Sequence, residues 1–345
     1  METSMIKLEE ILNDPKYKWL EEYKDRLCFI TLGGSYAYGT NIETSDIDVR
    51  GVLLPTKEEL IGVKHFEQKL DEETDTCLYE FNKFIKLVCN CNPNVIEMLG
   101  CRDYLVFNDV GMSLIENAKR FLSQKCIVTF AGYATAQLRR LENALCHDSY
   151  SEEDKIRHIK ATMEVAMLKL EEKNEVFKNK SIEVDVDENG VSLSIHIDHQ
   201  PIAEVRAALN DILTIEKTYN KLNHRNNKKD LPHLNKHAMH LFRLYYTVFD
   251  ILEHYDIRTY RYKERDLLLE IRNGKLIKDG QLTEEFRTLL KSLEDKLEEL
   301  KKTTQIPVTY DKDWVNEYVM DTNSRVITDS IFKYETPIGV SPIYD

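Results

Sequence analysis

The sequence predicts an α+β protein: a small mixed-sheet domain over residues 1–105, then a mostly helical domain over 106–345 that carries a β-hairpin insertion. Three observations predict this. In the first hundred residues, short apolar runs alternate with short helical stretches and turn residues. Beyond residue 105, long stretches repeat apolar residues at helical spacing. Over residues 181–197, β-branched residues alternate about Asn189-Gly190, a strong hairpin signal.

Residues 6–26 have helical spacing with an interruption at Pro15. "LCFITL" (27–32) reads as a strand, followed by a Gly33-Gly34-Ser35 turn, a short helix closed by Gly39, and a second strand, "DIDVRGVLLP", ending at Pro55. "TKEELIG" is a short helix with Thr56 as N-cap and Glu59 three residues on. "DTCLYEF" (75–81) is the third strand and runs into a helix that breaks near Pro93 and resumes. Asn92 and Asn94 are expected to cap the resumed helix, with Glu97 at a capping-box position. Helical periodicity then marks 111–145, 152–177, 201–222, 235–255 and 283–302, and the Pro-containing tail "TPIGVSPIYD" is expected to be irregular.

The composition, 42% hydrophobic and 31% charged, is that of a soluble globular chain, and no run approaches the ~20 apolar residues of a membrane span. The N-terminus lacks the basic and apolar regions of a signal peptide, and the seven cysteines are scattered without zinc-site spacing, so a reduced, cytoplasmic protein is expected. The net charge of −13 argues against coating nucleic acid by bulk electrostatics. It suits an acidic site that concentrates a cation.

Such a site is suggested by "GGSYAYGTNIETSDIDVRG". Asp46 and Asp48, two apart on a strand, project to one face with Cα atoms about 6–7 Å apart. Oxygens so placed suit a hard divalent ion. Gly33 and Gly34 let the backbone approach a ligand closely, and Ser35 offers a hydroxyl and an N–H at a helix start, where phosphate binds readily. A third carboxylate is expected on a neighbouring strand. Asp75 is the choice, with Glu80 the alternative on the opposite face. Arg50 shares the strand face of the two aspartates, either contacting a phosphate or offsetting their charge. Tyr36 and Tyr38 either stack on a base or pack in the core. On the helix "NKHAMHLFRL", Lys236 adjoins a slowly drifting face of His237, His240 and Arg243, suited to phosphate contact or to hydrogen bonding within the second domain. From Lys221 to Lys275, twelve Lys and Arg stand against seven acids, an excess of five positive charges that suits a polyanion, with Tyr260 and Tyr262 interleaved as possible base-stacking groups.

These residues resemble the DNA polymerase beta nucleotidyltransferase superfamily, whose motif is a Gly-Ser, an Asp-x-Asp and a later acid. The closer resemblance is to the RlaP-like branch associated with RNA repair. It is carried by "GGSYAYGT", "SDIDVRG", "NPNVIEML", "NKHAMHLFRL" and "LLLEIRNGKL", and spans residues 27 to 276. The resemblance implies a nucleoside triphosphate donor (ATP or another NTP), Mg²⁺ or Mn²⁺, and transfer of a nucleoside monophosphate to an acceptor, inferred to be an RNA end. Asp46, Asp48 and Asp75 are then the catalytic and metal residues. Gly33, Gly34, Ser35, Arg50, Lys236, His237, His240 and Arg243 are the nucleotide-binding candidates. Alternatives are transfer to a small molecule or protein, or a non-catalytic nucleotide sensor. No membrane contact is expected.

Overall fold

A computed structural model describes residues 8–147, 182–187, 190–195, 201–202, 205–206, 213 and 230–342. The helices expected over 152–177 and 201–222, and the basic residues at 221–229, lie outside the described residues but for a few positions. The chain forms two compact units, one of Met1–Leu138, Asn235–Leu276 and Leu282–Asp345, the other of Arg139–Leu234 and Ile277–Gln281.

The first unit is built on a six-stranded mixed sheet. In chain order the strands are β1 (Leu27–Leu32), β2 (Val49–Leu53), β3 (Gln68–Asp71), β4 (Thr76–Glu80) and β5 (Tyr104–Asn108), with β10 (Lys333–Val340) from the C-terminus. Their order across the sheet is β10-β5-β1-β2-β4-β3. All pairs are antiparallel except β2 and β4, whose parallel register sets Val49 opposite Thr76. That single parallel pair brings the residues just before both strands to the same sheet end.

The helices of this unit are α1 (Leu8–Leu12), α2 (Gly34–Tyr38), α3 (Lys57–Ile61), α4 (Phe81–Cys89), α5 (Pro93–Ile96), α6 (Asp109–Glu116) and, crossing into the second unit, α7 (Lys125–His147). Beyond them lie α8 (Leu231–His254), α9 (Arg265–Arg272), α10 (Glu284–Thr303) and α11 (Lys312–Ile327). A mixed sheet in the N-terminal part and a mostly helical C-terminal region make the fold α+β.

Strand β1 is apolar but for Thr31, whose buried hydroxyl donates to the Asp103 carbonyl, because both its faces are covered. Ile30 joins a cluster with Ile11, Leu20, Leu53 and Leu78, while Phe29 meets Phe84 of α4 and Tyr104 of β5 edge to face. Asp14 caps a 3-10 helix at Pro15–Tyr23, where Pro15 ends the preceding helix, and Thr56 with Glu59 closes the expected capping box on α3. Asn92 caps α5 through the N–H of Asn94, but the buried Glu97 side chain closes no capping box; Glu97 instead ends α5 through its backbone N–H.

The C-terminal tail was expected to be irregular, but its residues 336–340 belong to β10. Pro337 is tolerated because β10 is an edge strand whose register against β5 shifts between Lys333 and Ile338. The strands β3 and β5 were not anticipated either. In the second unit, β6 (Ile182–Asp187) and β7 (Gly190–Ile195) pair antiparallel, as the alternation predicts, and two-residue strands β8 (Ile277–Lys278) and β9 (Gln281–Leu282) follow α8 and α9. Among the described residues, six cysteines are free and buried, and no helix is long and apolar enough to cross a membrane.

Candidate active site

Where β1 ends, the Gly33 N–H donates to the carbonyl of Asp48 at 2.8 Å, extending the β1–β2 ladder by one bond. Gly34 follows with φ +52° and opens α2. A Cβ on Gly34 would lie 1.7 Å from Asp48 Oδ2, so both the backbone angle and the space admit only glycine. The chain has therefore pressed the start of α2 against the Asp48 carboxylate. Ser35 is half-buried, and its hydroxyl has no partner among the described residues.

The two aspartates expected within a strand precede it, since β2 starts at Val49. Asp75 likewise stands one residue before β4, with φ +45°. Because β2 and β4 are parallel and in register, Asp48 and Asp75 sit side by side at one end of the sheet. The two carboxyl groups share a hydrogen bond. Burial pushes Asp48 up to about 6, reinforced by the bond to Asp75 and opposed by Arg50 and Lys236. Asp75 is held below the usual carboxylate range, first by the bond from Asp48, against its own partial burial, and then by Arg50. A proton retained on Asp48 thus relieves the repulsion between the pair.

Arg50 is the cation between them. Its Nη2 lies 3.2 Å from Asp48 Oδ1 and 3.6 Å from Asp75 Oδ1, and its Nη1 donates to the Asp75 carbonyl. Lys236, exposed on α8, is near enough for its charge to favour ionisation of both aspartates. Asp46 is exposed in the extended segment before β2. Among the described residues, no three acidic, His or Cys side chains converge to hold a metal ion. The structure therefore gathers Gly33, Gly34, Asp48, Arg50 and Asp75, sets Lys236 within electrostatic reach, and leaves Asp46 at the margin. The paired carboxylates beside the glycine cradle offer oxygen donors of the kind a hard divalent cation takes.

Glu80, the alternative third acid, is spent elsewhere. It is 5% exposed and N-caps α4 by accepting from the N–H groups of Asn82 and Lys83, both at 2.9 Å.

Arg243 lies behind α2, not at its open end. It is 7% exposed, its guanidinium covers the Tyr38 ring at 3.3 Å from the centroid, and its Nη2 stands 3.9 Å from Glu97 Oε2. The Tyr38 hydroxyl donates to the same Glu97 oxygen. Burial pushes Glu97 up to about 7 and Arg243 down to about 10. So Tyr38 takes the core reading, and Arg243 packs within the protein because its planar cation matches a buried ring and acid. His237 Nδ1 pairs with Gln137 Oε1 of α7 at 3.1 Å, and His240 is half-buried.

The segment that follows α8, read from the sequence as part of a basic stretch with Tyr260 and Tyr262 as base-stacking groups, also makes contacts that reading did not foresee. Its Arg261 N–H donates to the Tyr38 carbonyl at 3.2 Å, Arg265 Nε to Gly39 at 2.7 Å, and Arg272 Nη1 to Thr40 at 2.6 Å. Three successive carbonyls at the end of α2 are thereby satisfied. Tyr260 packs against Gly39, whose φ is +70° and whose absent Cβ would be 2.5 Å from that ring. Tyr260 and Tyr262 lie against each other, with ring centroids 4.4 Å apart. The signal was the "IRNG" segment, but its target lies more than two hundred residues earlier, beyond the reach of local pattern.

The family model described as RlaP, the RNA repair pathway DNA polymerase beta family, matches residues 2–176, half of the chain. No curated protein and no solved structure matches.

Proposed function

Because the chain belongs to the RlaP family, the RNA repair pathway DNA polymerase beta family, we propose that it is a metal-dependent nucleotidyltransferase that moves a nucleoside monophosphate from a nucleoside triphosphate to an RNA end and releases pyrophosphate. The observation that carries this reading is the meeting of Asp48 and Asp75 at the heads of two parallel strands, beside Gly33 and Gly34. Mg²⁺ or Mn²⁺ would be held by Asp48 and Asp75, with Asp46 as the further carboxylate. Bound there, the ion supplies charge neutralisation for the phosphates and the leaving pyrophosphate.

The protein's own groups do the rest. Gly33 and Gly34 keep side chains out of the space beside Asp48, so a polyphosphate can approach the backbone. The Ser35 hydroxyl and the Lys236 ammonium supply a hydrogen bond and a positive charge on the same rim. Asp75, the more exposed of the pair, is the carboxylate placed to activate the acceptor hydroxyl. An RNA acceptor is supported by the family's repair association and by the local excess of positive charge from Lys221 to Lys275.

One observation favours a second reading. Arg50 already bridges both aspartates, as it would in a non-catalytic nucleotide-binding module whose acids are neutralised internally. Incubation with each labelled nucleoside triphosphate, Mg²⁺ and a mixed RNA pool separates the two. Transfer predicts pyrophosphate release and RNA that gains the mass of one or more nucleotides. Binding without pyrophosphate from any of the four donors supports the second reading, and pyrophosphate release with unaltered RNA redirects the acceptor to a small molecule or protein.

A further inference from the structure

The loop from Thr40 to Ser45 joins α2 to Asp46 and has no regular structure. Ile42, Glu43 and Thr44 are exposed, so packing does little to fix it. Its restraint comes from hydrogen bonds. The Ser45 N–H donates to the Ile42 carbonyl at 2.9 Å, and the Ile42 N–H donates to Ser45 Oγ at 2.9 Å. Arg272, at the end of α9, then ties both loop ends together. Its Nη1 donates to the Thr40 carbonyl at 2.6 Å, and its Nη2 to Ser45 Oγ at 3.2 Å.

A guanidinium is a rigid planar fork, so one side chain that reaches two acceptors fixes their separation. Arg272 is half-buried, where such charge-assisted bonds are stronger than in open water. Ser45 directly precedes Asp46. With Ser45 held, the backbone that carries Asp46 is restrained, and mainly side-chain torsions remain to bring its carboxylate toward the other two.

We propose that Arg272 is a positioning residue that clamps the Thr40–Ser45 loop, restricts where Asp46 can stand relative to Asp48 and Asp75, and so raises the affinity of the carboxylate site for its divalent cation. This rests on the reading of those acids as a cation seat. Groups behind a metal ligand commonly alter metal affinity by about 10–100-fold when removed. Lysine in place of Arg272 keeps the charge, but its three donors radiate from a single nitrogen and lack the planar two-nitrogen fork that fixes the separation of the two acceptors.

The test uses the full chain in two measurements. Amide hydrogen exchange of residues 40–47, without added metal, reads the clamp itself. Arg272→Lys should speed exchange there about tenfold while β1 and β2 stay unchanged. Binding of a fluorescent ATP analogue across a Mg²⁺ series reads the consequence, and the half-saturating Mg²⁺ concentration should rise about tenfold. Ser45→Ala, which disturbs no charge, removes the acceptor of Arg272 Nη2 together with that of the Ile42 N–H. It should speed exchange of residues 40–47 and raise the Mg²⁺ midpoint, and added to Arg272→Lys its further effect should be confined to exchange at Ile42; this variant carries the test if Arg272→Lys does not fold. Unchanged exchange overturns the clamp. Faster exchange with an unmoved Mg²⁺ midpoint overturns its role at the site, provided Asp48→Asn moves that midpoint. If Asp48→Asn leaves the midpoint unmoved as well, the cation reading falls and this proposal with it.

Discussion

Asp48 at the head of β2 and Glu97 behind α2 are both acids withdrawn from water, both face an arginine, and both titrate above their usual range. Their surroundings differ. At the strand heads, two carboxylates share one guanidinium, and the Asp75 side chain is 66% exposed, so negative charge is in excess and one side is open. Behind α2, Glu97 meets the Arg243 guanidinium with Arg261 also in electrostatic reach, Glu97 and Arg243 are buried, and Tyr38 closes the group, although Glu97 Oε1 and Arg243 Nε find no hydrogen-bond partner among the described residues. Excess negative charge on an open rim is where a ligand can gain; a closed, charge-paired layer holds a shape.

The comparison is broken most sharply by activity. Asp48→Asn or Asp75→Asn should lower nucleotidyl transfer by at least about a hundredfold, as expected when a group acting on transition-state charge is lost, with circular dichroism and folding unchanged. Retention of activity by either variant would move the chemistry away from the strand heads. Arg243→Ala should do the reverse. It leaves Glu97 buried without its cation, at a cost of about 3–5 kcal/mol measurable by denaturant unfolding, while the protein that remains folded keeps its triphosphate affinity. Loss of affinity at intact stability would instead return Arg243 to the ligand.

Two smaller effects sharpen the contrast. Glu80→Gln should weaken the cap of α4 by about 0.5–1 kcal/mol and leave transfer intact, which separates it from Asp75. The last effect concerns pH in metal-free solution. A carboxyl raised to about 6 when folded retains a proton that the unfolded chain releases near 4, so its contribution to stability falls as pH rises through that window. Asp48→Asn should remove roughly 1 kcal/mol of that decline, read from unfolding midpoints between about pH 4 and pH 7. Asp75, lowered, acts in the opposite sense and only at more acid pH.

What was legible in the sequence is what local spacing encodes. Gly33-Gly34-Ser35 after an apolar run announced the turn, and Asp46 and Asp48 announced an acidic site near it, although both aspartates were read inside a strand that begins only at Val49. The Asn189-Gly190 alternation announced the pairing of β6 with β7. Asp75 was preferred over Glu80 because Glu80 falls where the strand turns into a helix and faces the other way, and Glu80 does cap that helix. The parallel pairing of β2 with β4 was not legible, because β3 and α3 intervene. Nor was the burial of Glu97 and Arg243. A capping-box spacing and a helix-face spacing both looked complete locally, and tertiary packing overrode them. β10 was hidden by Pro337, which an edge strand accepts. The arginines on the end of α2 were hidden by distance along the chain, since no periodicity links Arg265 to Gly39 or Arg272 to Thr40.

The central claim is that Asp48 and Asp75 hold a divalent cation beside a glycine-lined place for polyphosphate. Isothermal titration of a non-hydrolysable nucleoside triphosphate, with Mg²⁺ and then with a chelator, tests it directly. The account predicts tight binding with Mg²⁺, at least about tenfold weaker binding without it, and no Mg²⁺ effect in Asp48→Asn. Equal affinity with and without the cation in the unmodified protein would contradict it.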